Sequence, residues 1–363
     1  MKLQERINAF IQLGSFLSQF SCLTAKDEGA AREQTTEKRL DVLCNDLFYD
    51  EMSQQLKAAK NHNGWFTNDN LSFACESWSN ALSRATIEKW VSAYDFNVAA
   101  PKRVAIIMAG NIPLVGFHDF ISVLISGHKV VVKLSSNDKQ LLPLLARYLI
   151  AVAPEFEGCI LFTENKIQDI DAVIATGSNN SARYFDHYFG KYPHIIRKNR
   201  NSIAVLTGNE SKEQMEALGD DIFRYYGLGC RNVSKIYIPE NFNKNLFFNG
   251  MFSWQRIINS NKYINNYDYN KAVYLMSNFQ LLDNEFMLLK EDQGYSSPIS
   301  VVFYETYANL TSLEDKLMHD EDKIQCIVGV AGLNNEIPFG KAQSPELWDY
   351  ADNVDTIKFL LAL

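Results

Sequence analysis

The stretch that decides the fold runs from Lys102 to Lys133. It holds Val104-Ala105-Ile106-Ile107-Met108, then Gly110-Asn111-Ile112-Pro113, then Leu114 to Ile125, then Gly127-His128, then Lys129-Val130-Val131-Val132-Lys133. The two short runs, apolar and rich in β-branched residues, read as buried strands, and the longer apolar segment between them reads as a helix. Strand, helix, strand is the repeating unit of a parallel α/β sheet. The alternation continues downstream. Asp138 to Val152 reads as a helix with Pro143 near its first turns, Ile160-Leu161-Phe162 and Ala172-Val173-Ile174-Ala175 as strands, and the residues after Thr176-Gly177-Ser178 as a helix to about Phe189. Strands at Ile195-Ile196 and Ile203 to Leu206 come next. A helix then starts at Ser211, with Gln214 three residues on completing a capping box, and runs to Tyr225. The loop Gly227-Leu228-Gly229-Cys230-Arg231-Asn232 leads into strand Lys235 to Ile238, and alternation persists to residue 330. Upstream, residues 1 to about 95 show helical spacing. Leu40, Leu43, Cys44 and Leu47 make one face; Trp78, Leu82 and Ala85 make another, with Asn68-Asp69-Asn70 as its cap.

Composition narrows the function classes. The 363 residues exceed what one core usually holds, so two lobes are expected. With 47% hydrophobic and 21% charged residues the chain is globular, and a net charge of −8 argues against a general binder of nucleic acid or anionic membrane. The most apolar region, Val104 to Ser126, is interrupted by Gly110, Asn111, Pro113, His118 and Asp119, so no membrane span is expected. The start, MKLQERINAFIQLG, reads as an amphipathic helix carrying Glu5 and Arg6 rather than a signal peptide, and a cytoplasmic location is expected. The six cysteines, at 22, 44, 75, 159, 230 and 326, form no CxxC and sit in no metal spacing with the six histidines. Reduced thiols and no metal site are expected.

Three local features could carry chemistry. Cys230, on a glycine-flanked loop after a helix, is a candidate nucleophile, against the alternative of a small buried hydrophobe. Asn111, at the end of a strand, can offer its amide to a developing oxyanion, or merely satisfy its own turn. Thr176-Gly177-Ser178, between strand and helix, suits a phosphate, or is an ordinary N-cap. Neither GxGxxG nor GxxxxGK[ST] occurs.

Taken in order, Asn111-Ile-Pro-Leu, Gly127-His-Lys-Val-Val-Val-Lys133-Leu-Ser-Ser, Thr176-Gly-Ser178, Asn201-Ser202 and Gly229-Cys230 resemble the aldehyde dehydrogenase superfamily. Within it the chain resembles the LuxC-type fatty acyl-CoA reductases, through Gly-Cys-Arg-Asn-Val-Ser-Lys and the tail Asp349-Tyr-Ala-Asp-Asn-Val-Asp355. The resemblance covers about residues 100 to 363. It implies an aldehyde-dehydrogenase-like α/β fold with two Rossmann-like lobes and a helical N-terminal region. The expected division is 1–100 helical, 101–205 cofactor-binding, 206–340 catalytic with Cys230, and 341–363 a tail packing back on the core or on a partner subunit.

By the same resemblance Cys230 is the nucleophile and Asn111 the oxyanion-hole side chain, acting with the Cys230 N–H. Lys133 holds the cofactor's adenosine ribose. Thr176, Gly177 and Ser178 lie against the pyrophosphate, and Glu291 matches the nicotinamide-ribose carboxylate. NAD-preferring relatives often carry an acid shortly after the lysine. Here Leu134, Ser135 and Ser136 follow, so NADPH is expected, with Ser135 and Ser136 beside the 2′-phosphate. Where hydrolytic relatives have a general-base Glu the alignment gives Arg197, so the enzyme is expected to be a poor thioesterase. Phe223, Tyr225 and Tyr226 are candidates for an acyl channel or for core packing. The implied reaction is acyl-CoA plus NADPH to fatty aldehyde, CoA and NADP. A short acyl-CoA, an acyl phosphate or a free aldehyde as substrate, or a silent scaffold, are the alternatives. A homo-oligomer is expected, and there is room for an acyl-transferring partner enzyme.

Overall fold

The computed structural model describes residues 1–21, 38–96 and 100–363. The chain divides into two units, 1–198 with 346–363, and 199–345. Cys22 lies outside the described residues.

The first unit opens with α1 (Leu3–Leu17), α2 (Asn45–His62), α3 (Asn68–Ala81) and α4 (Arg84–Val91). Phe10, Leu13 and Phe16 of α1 and Met52 and Leu56 of α2 share one core with Val104, Ile106, Val130 and Val132. The first hundred residues therefore cover a sheet rather than form a region of their own. The expected face of Leu40, Leu43 and Leu47 is solvent-facing, with Leu40 97% exposed. The physical reason is phase. The helix begins only at Asn45, after Cys44 in a left-handed conformation (φ 56°), and this turns Phe48, Tyr49, Met52 and Leu56 inward instead. Leu82 is buried but Ala85 is exposed. The cap of α3 is Thr67, whose hydroxyl accepts the Asn70 N–H at 3.4 Å.

The first sheet is built from β1 (Arg103–Ile107), β2 (Lys129–Lys133), β3 (Ile160–Phe162), β4 (Ala172–Thr176) and β5 (His194–Arg197). Its order is β3-β2-β1-β4-β5, with every pairing parallel. The crossovers include α5 (Phe117–Ile125), α6 (Leu141–Val152) and α7 (Asn179–Phe189). Successive strand residues point to opposite faces. Val104 and Ile106 enter the core of α1 to α6, while Ala105, Val173 and Ala175 pack with Phe185 and Phe189 of α7. The order in which successive strands are added reverses between β1 and β4, the position where ligands settle in doubly wound sheets.

The second unit contains β6 (Asn201–Val205), α8 (Lys212–Phe223), β7 (Val233–Pro239), α9 (Lys244–Met251), α10 (Asn261–Met276), β8 (Leu281–Asp283), β9 (Leu288–Glu291), β10 (Val301–Tyr307), α11 (Leu310–His319), β11 (Ile324–Gly329) and β12 (Glu336–Ile337). The sheet order is β12-β11-β6-β7-β10-β9-β8, and only the edge strand β8 is antiparallel. The boundary expected after residue 205 lies at 198/199, because β6 bonds to β7 and β11 of this second sheet. The boundary expected at 340 likewise moves to 345/346.

The tail returns to the first unit and ends in α12 (Thr356–Leu361), with Ile357 and Leu360 fully buried in that unit's core. Polar clips hold it. Arg197 forms a two-pronged pair with Asp119, its second prong 2.8 Å long, and donates to Thr356 Oγ1 at 3.1 Å. His128 Nδ1 accepts the Lys102 N–H at 3.0 Å, so its Nε2 carries the proton given to the Leu360 carbonyl at 2.8 Å. Arg197 is thus a buried structural cation. The cation that the sequence aligns with the hydrolytic relatives' base has its guanidinium committed to Asp119, and a Glu there would face that carboxylate. Arg197→Ala should leave the Asp119 charge buried and lower unfolding stability by about 3–5 kcal/mol. Arg197→Met with Asp119→Leu should recover most of that loss. Denaturant unfolding of the full chain checks both, and equal losses in the two proteins would sink the assignment.

Candidate active site

In the first unit, the carboxyl ends of β1, β2 and β4 gather the residues the sequence singled out. The loop after β1 and the loop after β2 are stitched together. Met108 N–H donates to the Lys133 carbonyl at 3.0 Å, and Asn63 Nδ2 reaches the carbonyls of Gly110 and Asn137, both at 3.4 Å. A Cβ on Gly110 would stand 2.5 Å from Ser135 Oγ, so only glycine lets the two loops meet. Asn111 therefore follows directly on the loop contact made by Ser135, while Ser136 is exposed. Lys133 closes β2, and its ammonium donates to the Asn165 carbonyl at 3.3 Å.

Thr176 closes β4, Gly177 turns, and Ser178 caps α7 by accepting the Ser181 N–H at 3.2 Å. A Cβ on Gly177 would lie 2.8 Å from Ser181 Cβ and 2.9 Å from Phe185, so glycine is what lets this turn lie against α7. A pyrophosphate suits such a helix N-terminus. The donor set therefore fits a nicotinamide dinucleotide, with Lys133, Ser136, Gly177 and Ser178 as the residues able to hold it.

Asp138, read from the sequence as the start of a helix that begins only at Leu141, braces the same loops. Its Oδ2 accepts the N–H of Leu114, whose φ of 56° marks a left-handed turn three residues after Asn111. Burial pushes its carboxyl up to about 6, only partly offset by that N–H. The raised value means that the charged form is penalised in the fold. Asp138 is stabilising below about pH 4 and loses that contribution as pH rises through about 6. Asp138→Asn keeps the acceptor without the charge. The variant should melt higher than the parent at pH 8, with the gap narrowing at pH 5 and closing by about pH 4. A constant gap across that range would contradict this.

In the second unit, Cys230 stands in the turn between α8 and β7, and it is the exposed cysteine among the described residues. Cys75, by contrast, is buried and pushed up to about 12, so it is no thiolate near neutral pH. The Cys230 loop follows a strained segment. Tyr225, Tyr226 and Gly227 have φ of 54°, 59° and 74°, so the helix expected to reach Tyr225 ends at Phe223. Asn232, 3% exposed, closes the loop. Its Oδ1 accepts the Gly229 N–H at 2.8 Å, and its Nδ2 donates to the carbonyls of Arg224, Asp221 and Ile222 at 2.8, 3.1 and 3.3 Å. Ser202 Oγ donates to the Cys230 carbonyl at 3.0 Å. Arg231 Nε is held by the Ala342 carbonyl at 2.6 Å. Asp221, pushed up to about 7 by burial, accepts the N–H groups of Gly340 and Ala342 at 2.6 and 2.9 Å.

A small pocket meets the start of the loop at Gly227, walled by Phe223, Tyr226, Tyr263, Met287 and residues 297–302, without Cys230 in its wall. Phe223 and Tyr226 thus face a cavity, whereas Tyr225 is buried and takes no part in its wall. Glu291 is exposed at the end of β9. Strand register sets it level with Tyr304 and Ile236, three positions into β7, while Cys230 lies before β7 begins. The fold therefore does not bring Glu291 beside Cys230. Among the described residues, no group of three or more His, Cys, Asp or Glu could hold a metal, and no helix is long and apolar enough to cross a membrane.

Residues 37–246, more than half of the chain, match the family described as Acyl-CoA reductase (LuxC). No curated protein matches the chain in sequence. Solved aldehyde dehydrogenases share the fold. Aldehyde dehydrogenase 21 of Physcomitrella patens, in complex with succinate, is 12% identical with a TM-score of 0.65 over 100% of this chain and 84% of that one. The putative aldehyde dehydrogenase PutA of Anabaena variabilis is 16% identical, with a TM-score of 0.58 over 91% and 79%. The P. syringae indole-3-acetaldehyde dehydrogenase in complex with NAD+ and IAA is 13% identical, with a TM-score of 0.59 over 93% and 74%. The chain belongs to the acyl-CoA reductase (LuxC) family, an oxidoreductase on the aldehyde dehydrogenase fold.

Proposed function

We propose that the protein reduces a long-chain acyl-CoA to the fatty aldehyde with NADPH, through a thioester on Cys230. The observation that carries this reading is the exposed Cys230 on a loop held by Asn232 and Ser202, with an aromatic and aliphatic pocket at its side. The Cys230 thiolate attacks the carbonyl carbon of the acyl-CoA, and the C–S bond to CoA breaks as CoA leaves as thiolate. The negative charge on the carbonyl oxygen is received by the Cys230 N–H, and by the Asn111 amide in the role the family resemblance gives it. Phe223, Tyr226, Tyr263 and Met287 receive the first part of the acyl chain and exclude water from it.

A nicotinamide cofactor supplies hydride when bound. Lys133 and Ser136 serve its adenosine ribose, and Gly177 and Ser178 its pyrophosphate. Collapse of the reduced adduct releases aldehyde and returns the Cys230 thiol. The cytoplasm, a homo-oligomer and an acyl-transferring partner complete the proposal.

Three outcomes test it. Cys230→Ala should abolish aldehyde formation from acyl-CoA, while Cys44, Cys75, Cys159 and Cys326 should each be replaceable with activity kept. Assays with long acyl-CoA, short acyl-CoA and free aldehyde should rank the long acyl-CoA first, and a preference for free aldehyde would replace this reading. Ser136→Glu should weaken NADPH at least about tenfold more than NADH, because it sets a carboxylate against the 2′-phosphate. Cofactor titrations decide, and an unchanged preference would mean that residue 136 does not face that phosphate.

A further inference from the structure

We propose that Asn232 is the positioning residue of the Cys230 loop, setting the direction of the Cys230 N–H that receives the thioester oxyanion. The proposal rests on the reading of Cys230 as nucleophile.

The argument starts from one peptide plane. The Gly229–Cys230 peptide is trans, so its C=O and N–H point to opposite sides. The Asn232 N–H donates to the Gly229 carbonyl at 3.1 Å, turning that carbonyl toward the Asn232 backbone. The Cys230 N–H is thereby aimed the other way. Two further bonds stop the plane from rotating. Asn232 Oδ1 holds the Gly229 N–H at 2.8 Å on one side, and Ser202 Oγ holds the Cys230 carbonyl at 3.0 Å on the other.

The other end of the same side chain is anchored on the last turn of α8. The final carbonyls of a helix lack partners within it. Asn232 Nδ2 donates to the carbonyls of Asp221, Ile222 and Arg224. Between these two anchors run Tyr225, Tyr226 and Gly227, all left-handed. Left-handed backbone is unfavourable for non-glycine residues, so a segment released by Asn232 would relax and carry Gly229 with it. The site needs one planar group offering an acceptor to one side and two donors to the other. Asn offers that. Asp would set only acceptors against three carbonyls, and Ser reaches one end. Asn232 is 3% exposed, so its effect on substrate passes through the loop rather than by contact.

Two rates on the same thiol separate positioning from general stability. Alkylation of Cys230 by iodoacetamide needs the thiolate but creates no oxyanion. Release of CoA on mixing with acyl-CoA, without cofactor, needs both. Asn232→Ala should leave the alkylation rate and its pH profile within about threefold of the parent. It should slow CoA release by about 10²–10³-fold, the loss seen when one oxyanion donor is removed. Asn232→Ser, a milder change, carries the test if the Ala protein does not fold. Both rates falling together, neither falling, or both variants unfolding would overturn the positioning role. A parent protein that is alkylated at Cys230 but releases no CoA would instead overturn the functional reading.

Discussion

The second unit depends on a buried amide. Asn232 joins the end of α8 to the glycine before Cys230, across three left-handed residues that nothing in their own chemistry favours except at Gly227. Two tyrosines in that conformation cost a few kcal/mol together, comparable to what several buried hydrogen bonds return. The segment gains a defined loop in exchange. Tyr226 is turned against Tyr263, with ring centroids 6.1 Å apart, and both rings become walls of the pocket. One strained segment thus relates the helix end, the cysteine turn and the apolar cavity.

The first unit depends on a different device, a buried charge pair. Arg197 at the end of β5 holds Asp119 of α5 and Thr356 of α12, so strand, crossover helix and C-terminal helix meet at one guanidinium. Such pairs add little net stability, yet removing one partner is costly. That asymmetry makes the returning tail part of the sheet's support, and the sheet in turn carries the loops of Asn111, Lys133 and Thr176-Gly177-Ser178 at one end. Gly110 and Gly177 permit the closest approaches there, which is why side chains are absent at both positions.

Much of this was legible in the sequence because strands and their crossovers are local. The runs at 104–108, 129–133 and 172–175 gave three strands of the first sheet almost to the residue, and the Ser211–Gln214 capping box is present as read. The family was legible through the ordered short motifs. What failed was phase and distance. Leu40, Leu43 and Leu47 look like a helix face, but the helix starts after them, and apolar spacing carries no marker for that. The unit boundary was misplaced because Asn201–Val205 reads equally well as the last strand of one sheet or the first of the next, and only its partners decide. Arg197 aligned with a catalytic position while its side chain pairs with Asp119, 78 residues earlier. Asn232 and Asp138 were invisible as organisers, since their partners are backbone groups that any sequence supplies.

The central claim, that Cys230 carries the acyl group, is tested most directly by intact-mass spectrometry of the protein mixed with acyl-CoA and no cofactor, followed by peptide mapping. The account predicts one added acyl mass per chain, located on the peptide containing Cys230, and removed with formation of aldehyde when NADPH is supplied. An unmodified protein that still produces aldehyde, or an adduct on another residue, would contradict it.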